Sequence, residues 1–243
     1  MRMLTFANRN AKEIMRDPLT LFFGLGFPLV LILLLSAIQA NIPVALFEIQ
    51  HLTPGITIFG LSFMTLFSAT IIAKDRSSSL LQRLYTTPLT ATDFILGYTL
   101  PILPIAVVQC MICYIAAIIL GLKISIGILY AVVLIIPVSI LYIALGLLCG
   151  SVFNDKQVGG ICGALLTNVS AWLSGVWFDL DLVGGTLKKI AYLFPFVHAV
   201  ELERAVLAEN FADIFPHLWW ILGYAAFSTA SAIYLFLRQM KRQ

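Results

Sequence analysis

Residues 94–122 read FILGYTLPILPIAVVQCMICYIAAIILGL, a run of 29 residues without a charged side chain. After Lys123, a second uncharged run covers residues 124–154. A helix needs roughly 20 apolar residues to cross the hydrocarbon core of a bilayer, so each run is long enough to span a membrane. Both runs lack the alternation of barrel strands, and only helices and closed barrels satisfy their backbone groups in lipid. The stretch therefore predicts two consecutive transmembrane helices.

Four more uncharged runs have the same character, and they cover residues 18–47, 49–73, 157–178 and 214–237. Of the 243 residues, 60% are hydrophobic and 11% are charged, whereas about 25% of a typical soluble domain is charged. Too few charges remain to coat a soluble fold. The sequence thus predicts an all-α polytopic membrane protein with six transmembrane helices, which we place at residues 19–38, 52–73, 94–120, 124–153, 157–178 and 218–237.

The lysines and arginines between the predicted spans indicate the orientation. The segments on the side of the N-terminus hold 11 of them, and the segments on the other side hold 4. Cytoplasmic loops carry the excess of positive charge, so we expect both termini in the cytoplasm. The first span is expected to be retained, because its uncharged run is longer than the roughly 7–15 residues of a signal-peptide core. The tryptophans lie toward the outer ends of the last two spans, at Trp172, Trp177, Trp219 and Trp220.

Several functional classes lack their signature residues. No predicted span carries Asp, Glu, Lys or Arg in its interior, which disfavours coupling to an ion gradient. The phosphate-loop pattern Gly-x-x-x-x-Gly-Lys-Ser/Thr is missing from the sequence, so we expect this chain to bind no ATP by that route and no other cofactor. The four cysteines fall within predicted spans, where Cys110 and Cys113 are neighbours on one helix face. We predict neither a disulfide nor a metal site.

Two glycine pairs predict close contacts between helices. They are Gly146-x-x-x-Gly150 and Gly159-x-x-x-Gly163. Small residues at this spacing let the backbones of neighbouring membrane helices approach each other. The pattern is common in membrane proteins. It indicates helix packing but does not identify the helix that packs against each pair.

Residues 1–17 form the first of three segments outside the spans and are predicted to be an amphipathic interface helix. Basic residues and Glu13 fall on one side of a helical wheel and apolar residues fall on the other. Such a helix lies flat in the inner headgroup layer, with its basic face toward anionic lipid or toward a cytoplasmic partner, and the sequence leaves both open. The basic residues are Arg2, Arg9, Lys12 and Arg16, and the apolar arc comprises Met3, Leu4, Ala7, Ala11, Ile14 and Met15.

Residues 77–87 form the second segment, which follows the second span. Serines at 77–79 can cap a short helix, leucines at 80, 81 and 84 give it an apolar stripe, and Pro88 ends it. A short stiff helix between two spans can pass a push from a soluble protein into the membrane, although an ordinary surface loop fits the same residues. Thr90 and Asp93 have capping-box spacing and mark the start of the third span.

The third segment lies on the outer side, between the fifth and sixth spans. Its near-apolar stretch, residues 190–197, is too short to cross the membrane and too apolar for a loop in water. We therefore expect a pair of short helices over residues 182–210 that dip into the outer leaflet and return. The charged residues of this segment are expected at the outer water boundary, namely Asp179, Asp181, Glu201, Glu203, Arg204 and Glu209.

Three motifs give the chain a family resemblance. They are LLQRLYTTPL at residues 80–89, LSGVWF at residues 173–178 and FPFVHAVELER at residues 194–204. With the order of the spans, they make essentially the whole chain resemble the permease subunit of ABC-2 type exporters. The sequence departs from the usual family pattern at Ser78 and Ser79, where Gly-Thr is common, and at Gln82, where an acid is common.

The resemblance implies a division of labour between subunits. Two permeases, either two copies or this chain and a paralogue, would stand over two cytoplasmic ATPase subunits that bind ATP and Mg. The segment from residue 80 to 87 would be the coupling helix in a cleft of the ATPase, beside the interface helix. The coupling residues would be Leu80, Leu81, Gln82, Arg83, Leu84, Tyr85, Thr86 and Thr87. The outer helices would narrow the exit through Gly175, Phe178, Phe194, Pro195, Phe196, His198, Glu201 and Arg204.

The function expected from these features is ATP-driven export of an amphipathic or hydrophobic compound across a bacterial plasma membrane, with no nucleic-acid partner. By resemblance, the substrate would pass between the two permeases along spans 1, 2 and 5. Polar groups that could line the path, or simply join helices, are Ser62, Thr65, Ser68, Asn168 and Ser170. The alternatives are a passive channel or scaffold and an intramembrane enzyme. The enzyme would use His198 with Glu201 and Glu203, which supply too few converging ligands for a metal.

Overall fold

A computed structural model describes residues 2–43, 47–78, 80 and 90–240, and these residues form helices and connecting turns without a strand. The helices are numbered here in chain order. They are α1 (Arg2–Met15), α2 (Pro18–Gln39), α3 (Ile49–Ser77), α4 (Ala91–Ile119), α5 (Ile126–Val152), α6 (155–173), α7 (Leu180–Val183), α8 (Gly185–Ala191), α9 (Pro195–Leu207) and α10 (Phe211–Met240).

Five helices in the described part of the chain are long and apolar enough to cross a membrane: α2, α3, α4, α5 and α10. The predicted helical class and the multi-pass character are therefore confirmed. The predicted span at residues 157–178 corresponds to α6, a helical segment with a π-helical stretch at Gly159–Leu166 that ends at Leu173. Its crossing of the membrane, and with it the count of six spans, stays a prediction.

Helix α3 is the central helix of the bundle. Most of its side chains are buried, and it packs against α2, α4, α5 and α9. Its closest neighbour is α5, and the first glycine pair makes that approach possible. A Cβ atom on Gly146 would lie 1.8 Å from Ser68 Oγ, and one on Gly150 would lie 2.7 Å from the Ala69 carbonyl oxygen. A side chain at either position would therefore push α5 away from α3.

The second glycine pair has a different setting. A Cβ atom on Gly159 would meet open space, and one on Gly163 would make ordinary contacts with Leu66 at 3.4 Å. Within the described chain, close packing of this kind thus occurs at the first pair and not at the second.

Candidate coupling site and polar cavity

The N-terminal helix α1 is docked on α4 through a face that differs in part from the predicted apolar arc. Phe6, Ala7, Asn10 and Ile14 are its buried residues, while Leu4, which the arc included, is 61% exposed. The docking face includes Phe6 because its ring fills the space above Gly97 on α4. A Cβ atom there would lie 2.3 Å from the Phe6 ring. The fit is set by a residue about 90 positions away, which the helical wheel of α1 does not contain.

Two kinds of contact hold α1 in this position. The Phe6 ring stands edge-on to the rings of Phe94 and Tyr98, with centroids 5.5 and 5.0 Å apart. The buried amide of Asn10 donates a hydrogen bond of 3.0 Å to the Gly97 carbonyl oxygen. Edge-to-face aromatic pairs and satisfied buried amides both favour one fixed geometry over sliding.

A charged network joins α1 to the C-terminal end of α3 and the N-terminal part of α4. The Arg9 guanidinium donates to both carboxylate oxygens of Asp75, at 2.6 and 2.7 Å, and pairs with Glu13 at 2.8 Å. The Tyr98 hydroxyl donates to the same carboxylate at 2.9 Å. Because the Asp75 side chain is only 2% exposed, this network fixes three helices at one point.

The neighbouring residue, Arg76, ties the same end of α3 to α5. Its guanidinium donates to the Ser151 carbonyl oxygen at 2.5 Å and also to the Phe153 carbonyl oxygen. These are acceptors at the C-terminal end of α5, where helix carbonyls lack partners within the helix and favour a cation. Two consecutive residues of α3 therefore anchor it to α1, α4 and α5.

The predicted coupling segment runs between two helix ends that are both defined. At α3, the hydroxyls of Ser77 and Ser78 donate to the carbonyl oxygens of Lys74 and Asp75 at the C-terminal end of the helix. At α4, the predicted capping box is present: Thr90 N donates to Asp93 Oδ2 at 2.9 Å, and Asp93 N donates to Thr90 Oγ1 at 3.2 Å. Of the predicted coupling residues, Leu80 is partly buried and those at 81–87 lie outside the described residues.

On the opposite side, α9 carries most of the predicted gate residues. The helix begins with Pro195 in its first turn, and Glu201 and Arg204 form an ion pair of 3.0 Å on its surface. Arg204 also donates to the Gly175 carbonyl oxygen at 3.0 Å. Gly175 has a φ of +70°, a conformation in which a side chain would be strained. The hydrogen bond between Arg204 and Gly175 thus connects the turn after α6 to α9.

The predicted aromatic gate residues lie at the start of α9. The rings of Phe194 and Phe196 are parallel, with centroids 6.2 Å apart. Phe196 is buried against Tyr142 of α5, whereas Phe194 is 40% exposed. Phe178, also partly buried, packs with a small apolar cluster under α7 and α8. The structure therefore brings the predicted gate residues into one region, spread between its interior and its surface.

A polar cavity of about 660 Å³ lies beside these residues. The Arg204–Glu201 pair forms part of its wall, and a second ion pair joins Lys188 to Asp181. Its ionisable lining residues are Glu48, His51, Asp179, Asp181, Lys188, Glu201, Arg204, Asp213 and His217.

The sequence profile of the ABC-2 type transporter family matches residues 2–208. The chain belongs to the ABC-2 type transporter family. The match extends from α1 through α9, so the docked N-terminal helix and the outer helices both lie within the family domain. This ABC-2 type permease is a membrane component of a transporter, and the five long apolar helices in the described part of the chain indicate a multi-pass membrane protein. No curated protein sequence is significantly similar to the chain.

In this ABC-2 type permease, four of the five predicted pathway residues are buried inside the single chain. The hydroxyls of Thr65 and Ser170 bond to Tyr142 on α5, at 2.7 Å to its carbonyl oxygen and 3.1 Å to its hydroxyl. Ser62 and Ser68 donate to backbone carbonyl oxygens at 2.6 and 2.9 Å, and Asn168 alone is exposed. The contacts of Thr65 and Ser170 with Tyr142 join α3 and α6 to α5, whereas the 2.6 and 2.9 Å bonds of Ser62 and Ser68 stay within α3, and a role in lining a path stays a prediction.

His198 has a different partner from the one the enzyme hypothesis requires. Its Nδ1 lies 2.9 Å from Nδ1 of His217, and its Nε2 lies 3.1 Å from the Tyr192 carbonyl oxygen. The ring stacks on Trp220 with centroids 4.9 Å apart, and burial lowers the pKa of His198. The part of the chain that the structure describes contains no group of three or more His, Cys, Asp or Glu residues able to hold a metal.

The location that was predicted for Glu203 is wrong. This residue is fully buried instead of lying at the outer water boundary, and the Tyr114 hydroxyl of α4 donates to its Oε2 at 2.8 Å. Its Oε1 has no hydrogen-bond partner among the described residues. Burial raises the pKa of Glu203 to about 8, so the carboxyl group is held largely neutral. An ionisable group thus lies inside the bundle, contributed by a short helix instead of a span.

Proposed function

We propose that this permease forms the substrate pathway of an ATP-driven exporter and receives its energy from separate cytoplasmic ATPase subunits. Its cargo would be an amphipathic or hydrophobic compound, carried between two permeases that are copies or paralogues. The proposal rests on the contacts that hold the end of α3 in place, where the segment between α3 and α4 begins. Asp75 and Arg76 bind the end of α3 to three other helices, directly before the residues that would contact an ATPase.

These contacts suggest how a displacement of the coupling segment would be passed on to the rest of the bundle. If closure of the ATPase subunits presses on residues 80–87, the displacement cannot be absorbed by fraying of α3, because its last turns are tied by Arg9 and Arg76. Helix α3 would move as a rigid body together with α1 and the start of α4. Since α3 packs along α5 and α9, its movement would reach the outer helices and the Arg204–Gly175 contact.

The remaining features of the proposal follow the family. ATP and Mg would be bound by the partner ATPase, and α6 would be the fifth of six spans. Both termini would lie in the cytoplasm, with α7–α9 as the re-entrant outer helices, in a bacterial plasma membrane. The exposed apolar faces of the long helices support a lipid environment, with Ile115, Leu129 and Val133 at 54%, 59% and 53% exposure.

The test is substrate-stimulated ATP hydrolysis by the permease reconstituted with its ATPase. A variant with Leu80, Arg83 and Leu84 all replaced by Asp should lose either assembly with the ATPase or at least ten-fold of the stimulated rate. The matched control is Lys189→Asp on the predicted outer side, where the side chain is already charged and exposed, and it should behave as wild type. Intact stimulated turnover in the triple variant would overturn the coupling role. Substrate flux through the chain without nucleotide would favour the passive channel instead.

A further inference from the structure

A second cavity, of about 790 Å³, lies between α1, the start of α2 and the end of α3. Its apolar wall contains the buried side chains of Ile14, Phe67 and Ile71. Its polar wall contains exposed basic side chains of Lys12 and Arg16 on one side and of Lys74 on the other. The cavity therefore has an apolar interior and a basic mouth, and it is built by three separate helices.

The charges that line this cavity are unbalanced. Arg9, Lys12, Arg16 and Lys74 contribute four positive charges, whereas Glu13 and Asp17 contribute two negative ones. Arg9 is already paired with Glu13 and Asp75. Lys12, Arg16 and Lys74 form no ion pair within 4 Å in the part of the chain that the structure describes. Three cations at the mouth are thus left with little local compensation.

The carboxylate of Asp17 is held at the start of α2 and forms no ion pair within 4 Å among the described residues. Its oxygens accept hydrogen bonds from Leu19 N at 3.1 Å, from Thr20 N at 3.2 Å and from Thr20 Oγ1 at 2.9 Å. Burial acts to raise the pKa of Asp17, but these bonds and the nearby Lys74 outweigh it and hold that pKa below its ordinary value. A further anionic group is what the mouth lacks.

We infer that this cavity binds one anionic phospholipid, with the phosphate of the headgroup among Lys12, Arg16 and Lys74. The excess of basic side chains favours an anionic headgroup, and the inner leaflet contains anionic lipid at the depth of an interfacial helix. The acyl chains have an apolar surface to follow along the next turns of α2. There Leu19 and Phe22 are 67% and 52% exposed. The inference rests on the proposed cytoplasmic placement of α1 and not on coupling to an ATPase.

Bound in this way, the lipid bridges α1 to α3 one turn away from the Arg9–Asp75 pair. It stabilises the same three-helix unit that holds the coupling segment. The unit then depends on the composition of the inner leaflet as well as on its own hydrogen bonds.

The test uses the purified chain in a neutral detergent, titrated with dioleoyl phosphatidylglycerol or with dioleoyl phosphatidylcholine. Native mass spectrometry counts the bound lipids, and thermal unfolding follows stability. We expect one phosphatidylglycerol per chain to be retained preferentially, with a rise in unfolding temperature that phosphatidylcholine does not produce. Equal retention of the two lipids would overturn the inference.

Variants locate the bound lipid. Lys12→Gln, Arg16→Gln and Lys74→Gln together should weaken phosphatidylglycerol binding at least ten-fold, and each alone should weaken it in part. All three side chains are exposed, so the single variants keep the packing of α1. Lys156→Gln, an exposed cation that is predicted on the same side of the membrane, is the matched control and should bind as wild type. An equal loss of phosphatidylglycerol binding in the control would show that binding depends only on the overall positive charge, and it would contradict the proposed site.

A third experiment distinguishes a bound lipid from a bound free anion. Inorganic phosphate at millimolar concentration should leave the unfolding temperature unchanged, because it lacks the acyl chains that the apolar wall and α2 would contact. Stabilisation by inorganic phosphate equal to that by phosphatidylglycerol would show a free-anion site and overturn the lipid inference. Coupled ATP hydrolysis is not a readout in any arm, so failure here leaves the proposed function standing.

Discussion

The guanidinium of Arg9 makes two hydrogen bonds, of 2.6 and 2.7 Å, to the buried carboxylate of Asp75, 66 residues further along the chain. A two-pronged contact of this kind fixes the angle between the helices as well as their distance. It joins the N-terminal helix to the last turns of α3, immediately before the segment that would contact an ATPase. The pair therefore ties the N-terminal helix to the end of α3 at which the predicted coupling segment starts.

The strength of this pair can be measured by a double-mutant cycle. Arg9→Ala and Asp75→Ala each remove one partner, and the coupling free energy should be about 1–3 kcal/mol, less than for a fully buried pair because Arg9 is 39% exposed. Arg9→Lys should recover only part of this energy, since an ammonium group cannot make both bonds. Unfolding in mild detergent is the measurement, and a coupling energy near zero would show that the pair does not hold α1.

The glycine contact between α3 and α5 predicts a large difference between two similar substitutions. Gly146→Ala places a methyl group 1.8 Å from Ser68 Oγ and should destabilise the fold by roughly 1–3 kcal/mol through overpacking. Gly159→Ala places the same group in open space and should be neutral or stabilising by up to about 1 kcal/mol. Thermal unfolding of the two variants compares them directly. Equal effects would mean that the α3–α5 approach is looser than the structure has it.

The buried carboxyl group of Glu203 predicts a pH dependence. Its pKa is raised by burial to about 8, whereas an unfolded glutamate has a pKa of roughly 4.3. Between these values the folded chain holds a proton that the unfolded chain has lost. The stability contributed by protonated Glu203 is therefore complete below about pH 4.3 and is lost as the pH rises toward 8.

Glu203→Gln removes the ionisation while keeping an acceptor for the Tyr114 hydroxyl. The variant should unfold at nearly the wild-type temperature at pH 5 and roughly 2–6 °C higher at pH 8. Glu209→Gln, at an exposed position, is the control and should show no such change with pH. A variant that is less stable than wild type at pH 8 would mean that the charged form is the one the fold requires.

Local patterns in the sequence predicted the features that depend on neighbouring residues. Uncharged runs of 22–31 residues predicted the long helices, and the Thr90–Asp93 spacing predicted the start of α4, because both signals lie within one helix. The motifs at residues 173–178 and 194–204 placed Gly175 and Arg204 in one predicted gate, and the two are in contact.

Features that depend on distant residues could not be predicted in this way. The docking face of α1 is chosen by Gly97 on α4, and His198 meets His217 across two helices. Glu203 looked like a surface charge because its neighbours Glu201 and Arg204 are surface charges. Its burial follows from the packing of α9 against the bundle, and a periodicity argument on a 13-residue helix could have separated its two faces.

The most direct test of the central claim is the number of substrate molecules moved per ATP hydrolysed by the reconstituted transporter. Arg9→Gln combined with Asp75→Asn removes the ion pair without leaving a buried unpaired charge, because Glu13, the other partner of Arg9, is 35% exposed. The account predicts that this complex still assembles and hydrolyses ATP, while the transport ratio falls several-fold, because α3 and α1 no longer move as one unit. A transport ratio equal to that of the wild type, with the same assembly, would contradict it.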